Sequence, residues 1–126
     1  MKAILDTSVL LATDVSELPG ELAISAASLA ELHFGVLVTK DPDVRAERLR
    51  RLAVLQRTFE ALPIDAAVSA SYGELAAKVV SAGRQPRSRV MDLFIAATAH
   101  AHGARLYTRN PADFVGLEQL LDIVNV

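Results

Sequence analysis

The chain encodes an α/β fold around a parallel sheet, and two observations predict it. Short apolar, strand-like runs alternate with helical segments along the sequence, an order that implies parallel pairing through right-handed crossovers. No internal repeat or low-complexity stretch breaks that alternation, so residues 1–126 read as one domain, long enough for one sizeable core.

Lys2 to Leu5 is a short apolar run stopped by Asp6, the first strand. Pro19-Gly20 signals a turn, and Glu21 to Ile24 is the second strand. Ser25 then caps a largely buried helix over Ala26 to Val38. Asp41-Pro42 is a cap followed by a first-turn proline. The helix it opens carries Val44, Leu49, Leu52, Leu55 and Phe59 on one side, for the core or a subunit interface, and arginines on the other. Leu62 to Ile64 is a third strand, with Pro63 placing it at a sheet edge. Asp65 caps a helix to about Ala82, ended by Gly83, and Gly83 to Arg89 is a loop. Met91 to His102 is an apolar helix closed by Gly103, Arg105 to Tyr107 a fourth strand, and Leu121 to Val124 a fifth. Asn110-Pro111 opens a short helical turn between the last two.

At 52% hydrophobic and 22% charged residues the composition is that of a globular protein, not a disordered one. Cysteine is absent, which excludes disulfides and thiolate metal sites and fits a reducing cytosol. No apolar run reaches the roughly 18 residues of a membrane span. An acid at position 6 comes too early for a secretory signal, so a cytoplasmic protein is expected. The formal net charge of −2 argues against a general nucleic-acid coating role. Two basic clusters, Arg45/Arg48/Arg50/Arg51/Arg57 and Arg84/Arg87/Arg89, read as solvated faces first and as RNA or partner contacts second, able to hold a phosphate backbone locally.

Ligands of open parallel sheets bind beyond the carboxyl ends of the strands. Four acids fall there. Asp6 follows the first strand, as a helix cap or a metal ligand. Glu31 follows the second; Ser28 and Glu31 match a capping box, yet Ser25 is the better cap, which leaves Glu31 in an apolar second turn where a carboxylate wants a cation. Asp92 stands in the first turn of the apolar helix, where a dipole role competes with a site role. Asp113 falls three residues after Asn110, a back-bonding position if Asn110 is the cap. His33, His100 and His102 share no zinc-binding spacing.

Jointly, four segments resemble in order and spacing the motifs of VapC-type PIN domains. They are Ile4-Leu5-Asp6-Thr7-Ser8, Ile24 to Leu32 with Gly35 soon after, Asp92 to Ala99, and Leu106 to Phe114. The resemblance implies a three-layer α/β/α domain with four to five parallel strands. It implies an endoribonuclease dependent on Mg²⁺ or Mn²⁺, acting as the toxin of a toxin–antitoxin pair, usually a homodimer, and blocked by a small VapB-like antitoxin. Asp6, Glu31, Asp92 and Asp113 become its acidic quartet. Thr7, Ser28 and Thr108 become supporting hydroxyls, and Asn110 stands where some relatives carry a further acid. Arg84, Arg87 and Arg89 become RNA contacts.

Phosphodiester hydrolysis adds negative charge to the phosphoryl and leaving oxygens, which a hard cation on carboxylates offsets while acidifying its water. Asp6 and Asp92 are expected to touch the metal directly. Glu31 and Asp113 are expected to act through water or to position the nucleophile, leaving 5′-phosphate and 3′-hydroxyl ends. A haloacid-dehalogenase-like phosphatase would need an acid where Ser8 stands. A receiver domain would need a lysine that Lys2, Lys40 and Lys78 do not supply. The remaining alternative is an inactive PIN-like module that only binds RNA or a partner.

Overall fold

The computed structural model describes residues 1–14 and 16–126. Five strands, β1 (Lys2–Leu5), β2 (Glu21–Ser25), β3 (Glu60–Leu62), β4 (Arg105–Thr108) and β5 (Ile123–Asn125), form one sheet in the order β3-β2-β1-β4-β5. Every pairing is parallel. Five helices, α1 (Thr7–Leu11), α2 (Ala26–Val38), α3 (Pro42–Thr58), α4 (Ala66–Ser81) and α5 (Val90–Ala101), cover the two faces.

Strand periodicity divides the core. Ile4, Ala23 and Leu106 point to one face, where they meet Val68 and Leu75 of α4 and Leu93 and Ile95 of α5. Their neighbours Ala3, Leu5, Ile24 and Tyr107 point to the other, against Val9 and Leu10 of α1 and the partly buried Leu29, Leu32 and Leu55. The result is the three-layer α/β/α arrangement, with strands buried on both sides as parallel sheets require. Among the described residues, no helix is long and apolar enough to cross a membrane.

Ser25, Asp41 and Asp65 each accept a backbone N–H at the start of α2, α3 and α4. Gly83, at φ +79°, turns the chain out of α4 in the left-handed region that favours glycine.

Several expectations are corrected. β3 spans Glu60–Leu62 rather than Leu62–Ile64, pairing Ser25 with Leu62 as its last rung. Pro63 has no N–H to continue the ladder, and β3 is indeed an edge strand. β5 starts at Ile123; Leu121 packs into the core instead. The loop after Gly83 tightens into a 3-10 turn over Pro86–Arg89. α2 is not largely buried: only Ala27, Ser28 and Val36 are, while Phe34 is 67% and Leu37 72% exposed. The α3 stripe, expected in the core or a subunit interface, is divided: Leu52 is buried, Leu55 and Phe59 pack partly against the core, and Leu49 is 56% exposed. The pattern of a helix marks an apolar stripe without saying how much of its length a neighbour reaches.

Candidate active site

The strand order reverses at β1, with β2 on one side and β4 on the other, so the crevice for a ligand opens beyond Leu5 and Thr108. Asp6 occupies that position. It is 4% exposed and caps α1, accepting the Thr7 N–H on Oδ1 at 2.9 Å. Its Oδ2 accepts the hydroxyls of Ser8 and Thr108, both at 2.8 Å. Three hydrogen bonds fix the carboxylate, and one of its roughly four lone-pair positions stays free for a cation.

Each hydroxyl is itself held. Thr108 Oγ1 accepts the Asn110 N–H at 3.0 Å, and Ser8 Oγ accepts the Arg109 N–H at 3.0 Å. The strand β4 terminus and the start of α1 are thereby stitched together around Asp6. Arg109 adds an outer staple, its guanidinium donating to both Asp14 carboxylate oxygens at 2.7 and 3.3 Å.

The Thr7 hydroxyl faces the other way. It lies 2.7 Å from Glu31 Oε1, to which it donates, and 3.0 Å from Ser28 Oγ. Glu31 therefore reaches the site from α2, and Ser28 is buried beneath it rather than capping a helix. The cap of α2 is Ser25, which accepts the Ala27 N–H at 3.1 Å and the Thr98 hydroxyl at 2.8 Å.

Asp92 sits in the first turn of α5. Its carboxyl is raised from the ordinary aspartate value of 3.8 to about 6. Burial is the main cause, followed by the charges of Asp113, Asp6 and Glu31, while Arg89 pulls the other way. Four acids from four separate segments thus share one electrostatic field.

Asp113 lies in a 3-10 turn, Pro111–Phe114. Its carboxylate is 2.6 Å from Arg89 Nη1, which also stands 3.9 Å from Asp92 Oδ2. Asn110 makes no side-chain capping bond, so the predicted capping box is absent. Thr108 satisfies the Asn110 amide instead, and the Asp113 amide bonds to the Asn110 carbonyl at 3.0 Å.

The structure brings together Asp6, Glu31, Asp92 and Asp113 with Thr7, Ser28 and Thr108. Arg89 belongs to the acidic cluster, whereas Arg84 and Arg87 line hollows beside it. Sequence reasoning passed over Ser8 as an Asp6 partner, and over Arg89 as the counter-ion of two of the acids. The signal for Ser8 was present: a hydroxyl two residues after a helix-capping acid returns to that acid.

The donor set is all hard oxygen, which suits Mg²⁺ or Mn²⁺ and not a thiolate-seeking metal. Among the described residues, no three His, Cys, Asp or Glu side chains form a ready metal cluster. That is compatible with Mg²⁺, which keeps several waters and takes only one or two carboxylates directly.

A family model described as "PIN domain" matches residues 3–115. Ribonuclease VapC5 of Mycobacterium tuberculosis is 35% identical over 121 residues, which cover 91% of this chain and 87% of that protein. Ribonuclease VapC4 of the same organism is 36% identical over 115 residues, 86% of each chain. In three dimensions the chain resembles the M. tuberculosis VapBC-5 toxin–antitoxin structure, with a TM-score of 0.86 and 33% identity, covering 99% of this chain and 98% of that one. It also resembles VapBC2 of Rickettsia felis, solved on a promoter DNA fragment, with a TM-score of 0.78, 25% identity and coverage of 100% and 99%. From the acid-bearing ends of its strands to its overall path, this chain belongs to the PIN-domain family, among relatives that are VapC ribonucleases.

Proposed function

We propose that the protein is the toxin of a toxin–antitoxin pair, an endoribonuclease that hydrolyses RNA phosphodiester bonds with Mg²⁺ or Mn²⁺. The observation that carries this is the convergence, in a chain of the PIN-domain family, of Asp6 and Glu31, bridged by Thr7, with Asp92 and Asp113, bridged by Arg89; their charges also raise the Asp92 carboxyl. Gathering negative charge in a half-buried crevice is costly unless a cation belongs there.

Asp6 and Asp92 would hold the ion directly, with Glu31 and Asp113 acting through water. A bound divalent cation would offset charge on the phosphoryl oxygens and make its water more acidic. The chain's own groups supply orientation. Thr7, Ser8 and Thr108 fix Asp6 and Glu31, so neither carboxylate has to be ordered when substrate arrives. Glu31, partly exposed and held by Thr7, would take a proton from the attacking water. Attack by water leaves 5′-phosphate and 3′-hydroxyl ends and does not use the ribose 2′-hydroxyl.

The names of the relatives support RNA as substrate, and the toxin–antitoxin complexes it resembles support a small VapB-like antitoxin as partner. A homodimer and a cytoplasmic location belong to the same proposal.

The test is end-group analysis of RNA incubated with purified protein and Mg²⁺ or Mn²⁺. Cleavage giving 5′-phosphate ends, lost in Asp6→Asn and Asp92→Asn proteins of unchanged circular dichroism, is the expected result. Cyclic 2′,3′-phosphate products, or undiminished turnover in both variants, would refute it. Metal-dependent RNA binding without cleavage would identify an inactive module.

A further inference from the structure

Two hollows flank the carboxylate cluster. One, about 220 Å³, is lined by Arg84, Gln85, Ser88, Arg89 and Asp113 among others. The second, about 300 Å³, includes Glu31, Arg87, Ser88, Arg89 and Asp92 in its lining. Ser88 and Arg89 line both, so the hollows meet at that turn, and the acids are divided between them, Asp113 in the first and Glu31 and Asp92 in the second.

The basic residues of the molecule are not equivalent. On α3, Arg45, Arg48 and Arg51 donate to backbone carbonyls and Arg50 pairs with Glu47. Arg89 is held by Asp113. Arg84 and Arg87 are exposed and, like Arg57 at the end of α3, make no ion pair or side-chain hydrogen bond among the described residues, but these two stand beside the acids. One lines each hollow. No aromatic residue among those described lines either hollow, so a platform for stacking bases is absent.

We propose that residues 84–89 form a two-sided phosphate rail, on which single-stranded RNA crosses the cluster with Arg84 holding the backbone on one side of the scissile bond and Arg87 on the other. This rests on the ribonuclease reading and names how that site takes its substrate. Cleavage then requires nucleotides on both flanks, and affinity is carried by phosphates rather than by base identity.

The experiment uses a short single-stranded RNA with a mapped cleavage position, its two end-truncated forms and its duplex. Wild-type protein, Arg84→Gln, Arg87→Gln and, as a control, Lys2→Gln at the far end of β1 are compared by kcat/KM at several salt concentrations. Arg84→Gln and Arg87→Gln are each expected to lower kcat/KM by roughly tenfold, and to reduce the log–log salt slope by about 0.7, the value for one phosphate contact on a single strand. The Arg84 effect should vanish when one flank is removed and the Arg87 effect when the opposite flank is removed, with Lys2→Gln silent throughout. Both effects vanishing with the same flank, losses independent of either flank, or faster cutting of the duplex would overturn the rail. If the wild-type protein cuts none of these RNAs, nor total RNA, with either ion, the ribonuclease reading itself has failed.

Discussion

Thr108 Oγ1 donates to Asp6 Oδ2 at 2.8 Å, joining the carboxyl ends of two adjacent parallel strands whose residues stand 102 positions apart in the chain. The bond crosses the point where the strand order reverses, and it sets the direction of the Asp6 carboxylate. Thr108→Val keeps the shape of the side chain and removes this donor, together with the acceptor for the Asn110 amide. Activity should fall about 10- to 100-fold, in line with other orienting partners of metal ligands. Stability should fall by about 1–3 kcal/mol, since buried polar groups lose their partner. Denaturant melts and kcat/KM values check both, and full activity in Thr108→Val would mean that Asp6 needs no such support.

Asp92 gives the protein a pH signature. Burial and the charges of Asp113, Asp6 and Glu31 raise its folded-state carboxyl from 3.8 to about 6, so the folded protein binds this proton more tightly than the unfolded chain does. The resulting stabilisation is complete below 3.8 and is lost as pH climbs through about 6. In chelator, Asp92→Asn should flatten this limb of the melting-temperature profile and melt higher than wild type at pH 7. A wild-type limb that survives the substitution unchanged would assign it to another group.

A divalent cation should reverse the sign of that cost. Binding requires the ionised carboxylates, so affinity should rise with pH up to about 6 and level off above it. At ten times its dissociation constant an ion adds about 1.4 kcal/mol to folding. Scanning calorimetry with Mg²⁺ and Mn²⁺ should show an upward shift at pH 7.5 that shrinks at pH 5. It should be blunted in Asp6→Asn and Asp92→Asn. Equal shifts in wild type and both variants would place the ion elsewhere.

Arg89 lies 2.6 Å from Asp113 and 3.9 Å from Asp92, and its charge holds the Asp92 carboxyl lower than its acidic neighbours alone would. Arg89→Met should therefore move the acidic limb of the pH–rate profile toward higher pH, besides any effect on turnover at the plateau. An unmoved limb, or one displaced toward lower pH, would show that Arg89 does not govern Asp92.

Much of this was legible in one dimension. Asp6 could be placed because a short apolar run ends on it, and Ser25 because it stands between a strand and a helix; both are caps in the structure. The fold class followed from alternation, since parallel strands buried on two faces leave few other arrangements. The acids read individually as ordinary helix-start residues, and it took the ordered set of four motifs to join them. What stayed hidden was long-range or conditional. Nothing local shows that Thr7 would reach Glu31 across 24 positions, or that Arg89 would lean on Asp113. The Asn110 capping box failed because the Asp113 amide bonds to the Asn110 carbonyl, while Thr108 accepts the Asn110 amide and Arg89 takes the Asp113 carboxylate. The exposed C-terminal half of α2 was misjudged because periodicity reports which side of a helix is apolar, and burial depends on what else arrives there.

The distribution of the acids has a consequence for the order of assembly. Asp6 directly follows β1, while β4, the neighbour of β1 in the sheet, ends at Thr108. Before β4 docks, the first carboxylate of the cluster lacks the hydroxyl that aims it, and Asp113 lies beyond that strand. The site is thus a property of the closed sheet, and no contiguous stretch of the chain carries it alone.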